Sequence, residues 1–389
     1  MPQRAMRLPR AGLTTLALAL ALLLSACGGG KTNGALQRSS APKATPTVAI
    51  PQLSWRKITT PIDLTHGGVS MGVSPVNGRD AWICGDGASA GQFLIWRTQD
   101  GGATWSHVSS LLPVAPPPTA VSTACSVIPD QNVATSVAIW LPTANPSATP
   151  GPTSSALAYY SSDGGITWTQ MPHNWWIDQV ATSGATTYAL VNDLGHQSDV
   201  NVFASSDRFT TWRAVNPTAQ EWAQNPPILW VAPDSSDALL STNYQNQLFH
   251  STDGGQTWTQ TIAQSDQAAG AQLAVWRGQN GGWLICGEPA RQALCSADLG
   301  KTWTARPDTG EASCAPVGLT SDGSLYDVCP AVGAYGSAEP YTLMRLSLGA
   351  SAWTAVGRAP DKYITVTQSG QIWCSAGDGS ATYVLDHLP

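Results

Sequence analysis

Short apolar runs recur along the chain from about residue 50 to the C-terminus, each bounded by clusters of Gly, Asn, Asp, Ser or Pro. In the clearest set, runs at Ile228–Ala232, Ala238–Thr242 and Gln247–Ser251 precede a fourth at Thr257–Thr261. Runs of this length with these boundaries are typical of β-strands joined by tight turns. After residue 26 the sequence has no long segment with a 3.6-residue apolar period. The pattern therefore predicts an all-β fold built from sets of four strands.

A shared octet, S/T-x-D-x-x-x-T-W, connects the third and fourth runs of these sets. Its five copies are Thr98–Trp105, Ser161–Trp168, Ser205–Trp212, Ser251–Trp258 and Ser296–Trp303. The Asp carboxylate can accept hydrogen bonds from its own turn, and the large Trp ring can anchor that turn to the core. Gly at the fifth position supplies a positive φ in four copies. Phe209 takes that position in the third copy, so we expect that turn to differ in detail.

The spacing of the octets sets the size of the repeat. Their Asp residues are separated by 63, 44, 46 and 45 residues, and about 45 residues is the length of a four-stranded propeller blade. A degenerate copy ends at Trp353, and three further strands follow it. A strand at Leu53–Ile58 would complete the last blade and close the ring. The sequence thus predicts a seven-bladed β-propeller over residues 51–389, with six or eight blades as alternatives if a degenerate copy is misjudged.

The octets resemble the Asp-box (BNR) repeats of sialidases and related β-propellers, and the resemblance extends from about residue 50 to the end of the chain. In these families the motif forms the turn between the third and fourth strands of a blade, away from the active-site face. The resemblance therefore implies structural roles for the motif residues Asp100, Trp105, Asp163, Trp168, Asp207, Trp212, Asp253, Trp258, Asp298 and Trp303.

Residues 1–26 have the pattern of a bacterial export signal. Arg4, Arg7 and Arg10 precede the apolar run Leu13–Leu24, which is too short for a comfortable membrane span. The following Ser-Ala-Cys completes a sequence that resembles a lipobox, which implies that Cys27 is lipidated and becomes the new N-terminus. Residues 27–50 then form a disordered tether rich in Gly, Ser, Ala and Pro. An ordinary cleaved signal peptide with an incidental Cys is the alternative to a lipid-anchored, extracytoplasmic protein.

The net charge of the chain and the spacing of its His and Cys residues argue against nucleic-acid binding and against a metal site. Removal of the signal takes three Arg, which leaves a formal charge of 16 − 25 = −9 on the mature chain. An acidic protein is a poor candidate for binding nucleic acid. The six His residues are isolated, and no C-x-x-C or H-x-H spacing occurs, so we predict no metal site and no cofactor.

Two functions from different classes remain. A sialidase-type exo-glycosidase would by resemblance need three Arg, a Tyr–Glu nucleophile pair and an acid/base Asp, usually with a Phe/Tyr-Arg-Ile/Leu-Pro motif. The corresponding segment here, Trp55–Thr59, lacks the Pro, and the mature chain has four Glu residues. The photosystem II stability/assembly factor family is similar in its overall architecture, and its members bind protein partners without catalysis. We therefore assign no catalytic residue and expect a protein- or glycan-binding module, with the exo-glycosidase as the alternative.

A partner is expected to bind on the face opposite the Asp boxes, because the loops there differ from blade to blade. Trp222, Tyr244 and one of Trp175 and Trp176 are expected to line the channel mouth on this face. Alternatively, Trp175 and Trp176 open a first strand and pack between blades. The full candidate set is Trp175, Trp176, Trp222, Tyr244, Glu288 and Arg291.

The hairpin register predicts two disulfides among the seven Cys residues that follow Cys27. Cys314 and Cys329 each lie six residues outside the turn Thr320–Gly323, so antiparallel pairing places them opposite each other. Cys286 and Cys295 have corresponding positions on the second and third strands of their set. The pattern gives no basis for pairing Cys84, Cys125 and Cys374.

Overall fold

The structure is a computed structural model that describes 16 segments of the chain. They are residues 50–62, 69–86, 93–108, 125–142, 156–171, 175–193, 200–207, 209–216, 228–242, 247–262, 274–277, 283–287, 294–307, 314–330, 341–377 and 379–385. Cys27 and the predicted signal and tether lie outside these segments. In the described part of the chain, no helix is long and apolar enough to span a membrane.

The described strands form seven antiparallel sheets of four strands each, arranged as the blades of a β-propeller. Blade one contains β2 (Ser70–Val73), β3 (Ala81–Asp86), β4 (Phe93–Thr98) and β5 (Ser106–His107). Blade two contains β6 (Ser126–Pro129), β7 (Val137–Pro142), β8 (Ala156–Ser161) and β9 (Thr169–Gln170). Blade three contains β10 (Trp175–Ser183), β11 (Thr186–Asp193), β12 (Val200–Ser205) and β13 (Arg213–Ala214). Blade four contains β14 (Ile228–Val231), β15 (Ala238–Thr242), β16 (Gln247–Ser251) and β17 (Thr259–Ile262).

The remaining blades follow the same order. Blade five contains β18 (Ala274–Arg277), β19 (Trp283–Gly287), β20 (Leu294–Ser296) and β21 (Thr304–Ala305). Blade six contains β22 (Ala315–Leu319), β23 (Leu325–Cys329), β24 (Tyr341–Leu346) and β25 (Thr354–Ala359). Blade seven contains β26 (Tyr363–Val366), β27 (Ile372–Ser375), β28 (Thr382–Leu385) and β1 (Arg56–Ile58). The predicted all-β fold and seven blades are confirmed.

The ring closes through the N-terminal strand, as the sequence predicts. Strand β1 pairs with β28, so the strand nearest the N-terminus is the outermost strand of the last blade. The preceding residues also hold blade six, because the Arg358 amide donates to the Pro51 carbonyl over 3.1 Å. Because a strand from the start of the chain completes the last blade, the ring of blades is closed.

The hydrophobic core is divided among the interfaces between blades. Seven clusters of buried apolar side chains lie in the described part of the ring, and each draws on two neighbouring blades. The second strands supply many of the buried residues, such as Trp82, Ile139, Leu190 and Leu240. A second strand lies in the middle of its blade, so both of its faces pack against neighbouring blades. First strands of neighbouring blades also contact each other and thus surround the central channel.

Three disulfides stabilise the described part of the chain. Cys286 and Cys295 are directly opposite each other in the β19–β20 register, and Cys314 and Cys329 lie 4.1 Å apart between their Cα atoms. These two hairpin disulfides are the pairs that the register predicts. A third joins Cys84 on β3 to Cys125, and so links blades one and two across 41 residues. We call it the inter-blade disulfide; Cys374 is left as a buried free thiol.

Candidate binding site at the mouth of the channel

The Asp boxes form self-contained turns between the third and fourth strands. In the box of blade two, the Asp163 carboxylate accepts hydrogen bonds from the Thr167 amide at 2.8 Å and from the Thr167 hydroxyl at 2.6 Å. The Ser161 hydroxyl donates to the same carboxylate and accepts from the Gly165 amide at 2.7 Å. Equivalent bonds recur in the other four boxes. Their polar groups are therefore occupied within the turn.

Phe209 keeps the box geometry although it replaces Gly. Its φ is 70°, positive like those of the Gly residues at the same position, which run from 78° to 94°, and its amide donates to the Ser205 hydroxyl at 2.9 Å. The expectation that this turn differs is wrong for the hydrogen bonds. The Phe209 ring is buried and lies 3.9 Å from the Tyr160 ring, between centroids. Packing against blade two therefore offsets the strained backbone conformation.

The Trp residues of the boxes pack between blades. The Trp258 indole N–H donates to the Val215 carbonyl of the preceding blade at 2.6 Å. Trp353 and Trp55, which lack the box Asp, make the corresponding bonds to Pro307 at 2.8 Å and to Arg358 at 2.8 Å. The implied structural role of the motif thus agrees with these contacts.

A cavity of about 520 Å³ lies where the turns between first and second strands meet around the channel. Because strand directions alternate within a blade, these turns lie on the same face as the Asp boxes. The Gly101 amide, for example, donates to the Arg79 carbonyl of the first turn in its own blade. We call this space the axial cavity. Its wall includes turn residues of five blades: Pro75, Gln131, Asn132, Pro233, Asp234, Thr320, Ser321 and Gln368.

Asn132 reaches across the end of the channel. Its Nδ2 donates to the Thr182 carbonyl of blade three at 3.0 Å and to the Val231 carbonyl of blade four at 2.8 Å. Asp130 holds this turn in place, since its buried carboxylate accepts hydrogen bonds from the Asn132 backbone N–H at 2.8 Å and from the Thr182 hydroxyl at 2.5 Å. Burial raises the pKa of Asp130, and hydrogen bonds from Thr182 and the turn amides oppose that rise. The cavity wall at blade two is therefore fixed by three blades.

The interior of the axial cavity is formed by side chains of the first strands and by two indoles. Trp230 is half-buried, whereas Trp283 is buried in the cluster between blades four and five. Gly318 allows blade six to approach blade seven, because a Cβ there would lie 2.6 Å from the Val366 carbonyl oxygen. Among the described lining residues, Asp234 is the one ionisable side chain. The site therefore offers aromatic rings, amide groups and one carboxylate, all typical of binding sites.

Two of the six residues predicted for the loops of the opposite face lie in a strand instead. Trp175 and Trp176 belong to the first strand β10, not to a loop, because they pair with Asp193 and Asn192 of β11. The alternative that they open a first strand is the correct one for the backbone. The other members, Trp222, Tyr244, Glu288 and Arg291, lie outside the described residues.

Sequence reasoning missed two features that the structure describes. Tyr363 begins β26 on the face opposite the boxes, is 55% exposed and lies beneath the Lys362 ammonium at 5.3 Å from its ring centroid. The sequence pattern identified Tyr363 only as a strand residue. The axial cavity was missed because its walls come from turns far apart in the chain. The variation among the first turns was the available signal for it.

No group of three or more His, Cys, Asp or Glu side chains in the described part of the chain could hold a metal ion. Asp178 lies at a bulge of β10, between Ile177 and Gln179, where the register with β11 shifts. Burial raises the pKa of Asp178 to about 6. Perturbed carboxyl groups often mark functional sites, but a second carboxyl group beside it would be needed for glycoside hydrolysis.

Comparison with known proteins agrees with the architecture. The BNR/Asp-box repeat model matches residues 159–170 and 249–260. A structure of YCF48 bound to a D1 peptide is 17% identical, with 89% of this chain and 100% of that chain covered and a TM-score of 0.55. A catalytically inactive virginiamycin B lyase from Staphylococcus aureus with quinupristin is 12% identical, with coverages of 87% and 100% and a TM-score of 0.52. A streptogramin B lyase is also 12% identical, with coverages of 87% and 98% and a TM-score of 0.51.

No curated protein matches the chain. At these identities the solved structures show a shared fold, which hosts both a peptide-bound protein and lyases. The chain is a seven-bladed β-propeller with BNR/Asp-box repeats.

Proposed function

We propose that this propeller is an exported, lipid-anchored binding module that holds a protein partner at the mouth of its channel and catalyses no reaction. The observation that carries the proposal is the axial cavity, which combines binding groups with a single ionisable side chain among its described lining residues. A sialidase-type site needs several Arg residues and a pair of carboxyl groups. The cavity wall is suited to holding a ligand and lacks these groups in its described part.

Two further observations support the proposal. Three disulfides in the described part of the chain are typical of a protein that folds in an oxidising compartment, in agreement with an export signal. YCF48, which shares the fold, has been solved with a bound D1 peptide, so a propeller of this architecture can hold a peptide. Because fold alone does not determine function, this second point adds weight only to the binding class.

Membrane anchoring is tested with Cys27→Ala in the native host. The variant should lose lipid attachment and either enter the soluble fraction or accumulate unprocessed, since stable anchoring depends on acyl chains. Thr32→Ala, in the same predicted tether, is the matched control and should remain in the membrane fraction. Unchanged membrane association of the Cys27 variant would contradict the lipid anchor.

The binding role is tested by photo-crosslinking in native membranes, with the crosslinker placed at Ser321 on the cavity rim. A specific protein adduct that is absent with the crosslinker on the outer strand residue Thr169 would support the proposal. The glycosidase alternative is tested in parallel with a fluorogenic sialoside and a panel of aryl glycosides. Turnover by the purified chain that is lost on changing one carboxyl group would overturn the non-enzymatic function.

A further inference from the structure

We propose that the axial cavity binds an extended, cationic peptide segment of the partner. The proposal rests on the binding function proposed above, and it names the chemistry of the partner and the surface that contacts it. It places the contact on the Asp-box face, whereas the loop argument from the sequence favours the opposite face. The charge of the face, the atoms in the cavity wall and the strand edges around it carry the inference.

The face that surrounds the cavity is acidic. The first-to-second and third-to-fourth strand turns contain three basic residues in their sequence: Arg79, Arg208 and Lys301. The same turns contain ten Asp residues: Asp80, Asp100, Asp130, Asp163, Asp207, Asp234, Asp237, Asp253, Asp298 and Asp322. Arg97 and Arg345 of the strands pair with Asp80 and Asp322, and acids still outnumber bases. A concave site at the centre of such a face attracts cations.

The pKa values of all five box carboxylates are lowered, so these groups are ionised at neutral pH. Hydrogen bonds from the Thr302 hydroxyl and amide lower the pKa of Asp298 to about 2, and those from Thr257 do the same for Asp253. These groups lie on the outer part of the face and have their hydrogen-bonding capacity filled by their own turns. They therefore contribute a long-range field and leave the direct contacts to the cavity wall.

The wall offers hydrogen-bond acceptors to a ligand that is rich in N–H groups. The Asn132 Nδ2 group already donates two hydrogen bonds to carbonyls, so Oδ1 is the atom of this side chain that can accept a hydrogen bond from a ligand. Asp234 is exposed at the rim, and Gln368 is exposed on the other side of the cavity. Trp230 and Trp283 add indole rings, and the face of an indole attracts ammonium and guanidinium groups.

The shape favours an extended chain. Each first strand has its second strand as the one hydrogen-bonded neighbour within its described sheet, so its other edge faces the axis. The edges of β14, β18, β22 and β26 all contribute residues to the cavity wall. An extended peptide can pair with such an edge while its side chains occupy the space between the strands. A volume of about 520 Å³ lies within the range of ligand pockets, which is roughly 300–1,000 Å³.

The test measures the affinity of the full mature chain for fluorescein-labelled peptides of alternating Lys and Gly, with the matching Glu–Gly peptide as counterpart. Asp234→Lys reverses a charge at the rim, and Ser321→Trp fills the cavity while it leaves the charge of the face unchanged. Both positions are exposed, so both variants should fold. Ser321→Ala is the control for the substitution site, and Asp361→Asn removes an acid on the opposite face.

We expect the Lys peptide to bind and the Glu peptide not to bind. Affinity should fall about fivefold or more in Asp234→Lys and at raised salt, as for a contact between charges. It should also be lost in Ser321→Trp and unchanged in Ser321→Ala and Asp361→Asn. Binding that survives Ser321→Trp would show adsorption to the acidic face and overturn the cavity proposal, as would equal affinity for the two peptides.

The crosslinking experiment separates this proposal from the broader function. For this comparison, the Ser321→Trp and Asp234→Lys variants carry the crosslinker on the opposite face. If both variants still capture the partner in native membranes, the chain is a binding module and the cavity assignment is wrong. If the unmodified chain yields no specific partner adduct from any face, the proposed function fails as a whole.

Discussion

Phe209 offers a test of how packing and backbone strain compete within one turn. The residue has a φ of 70°, and its ring lies buried against Tyr160 and 5.5 Å from Trp212 between centroids. Relief of the positive φ by Gly should regain about 1–2 kcal/mol. The greater chain entropy of Gly in the unfolded state should cost about 0.5–1 kcal/mol, which offsets about half of that gain.

The lost ring decides the outcome for Phe209→Gly. Removal of a buried Phe side chain costs about 3–5 kcal/mol, because the space it leaves collapses only in part. We therefore expect Phe209→Gly to lower the free energy of unfolding by about 3 kcal/mol, although four of the five boxes have Gly at this position. Phe209→Ala should be about 1 kcal/mol less stable than Phe209→Gly, since Ala loses the ring and keeps the unfavourable φ.

Urea unfolding of the oxidised mature chain, followed by tryptophan fluorescence and far-UV circular dichroism, measures both differences. The gap between the wild type and Phe209→Gly reports the packing. The order of the Gly and Ala variants reports the backbone conformation. A Phe209→Gly variant as stable as the wild type would refute the packing argument, and an Ala variant more stable than the Gly variant would refute the positive φ.

The same unfolding assay tests three further predictions. Gly164→Ala should destabilise by about 2 kcal/mol more than Gly184→Ala, because both have positive φ but only the first adds a Cβ that overlaps Arg97; equal losses would contradict this clash. Asp178→Asn should stabilise by about 1–2 kcal/mol at pH 8 and little at pH 4, since a folded pKa raised to about 6 means that stability is lost as the pH rises through that value; a gain independent of pH would refute the assignment. Removal of the inter-blade disulfide by paired Ala substitutions should cost about 4 kcal/mol, against about 2.5 kcal/mol for the hairpin disulfide that closes nine residues; equal losses would contradict the dependence on loop length.

The sequence predicted what local rules determine. Strands Ala238–Thr242 and Gln247–Ser251 begin and end where the apolar runs do, because Asp and Asn clusters define the turns on either side. The two hairpin disulfides follow from register within one hairpin. Short-range patterns of this kind are repeated in each blade, so their signal accumulates over the chain.

These local rules do not predict the contacts between blades. Cys125 lies just before a first strand, and its partner Cys84 belongs to another blade, so hairpin register says nothing about the pair. The bond from Asn132 to Val231 joins residues 99 positions apart and helps to form the axial cavity. The conformation of Phe209 was mispredicted because a local rule for positive φ gave way to packing with the neighbouring blade.

The Asp and Trp of the box have separable tasks, and the degenerate copies show which one the ring depends on. Each of the seven interfaces between blades contains one Trp at the box position: Trp55, Trp105, Trp168, Trp212, Trp258, Trp303 and Trp353. Two of these, Trp55 and Trp353, have no box Asp, and both still donate to a carbonyl of the preceding blade. The box Asp accepts hydrogen bonds from the backbone amides of its own turn, and a turn with a different sequence does not need these bonds. The Trp fills the space between blades in all seven interfaces, so its loss would open a cavity there whether or not the turn carries an Asp.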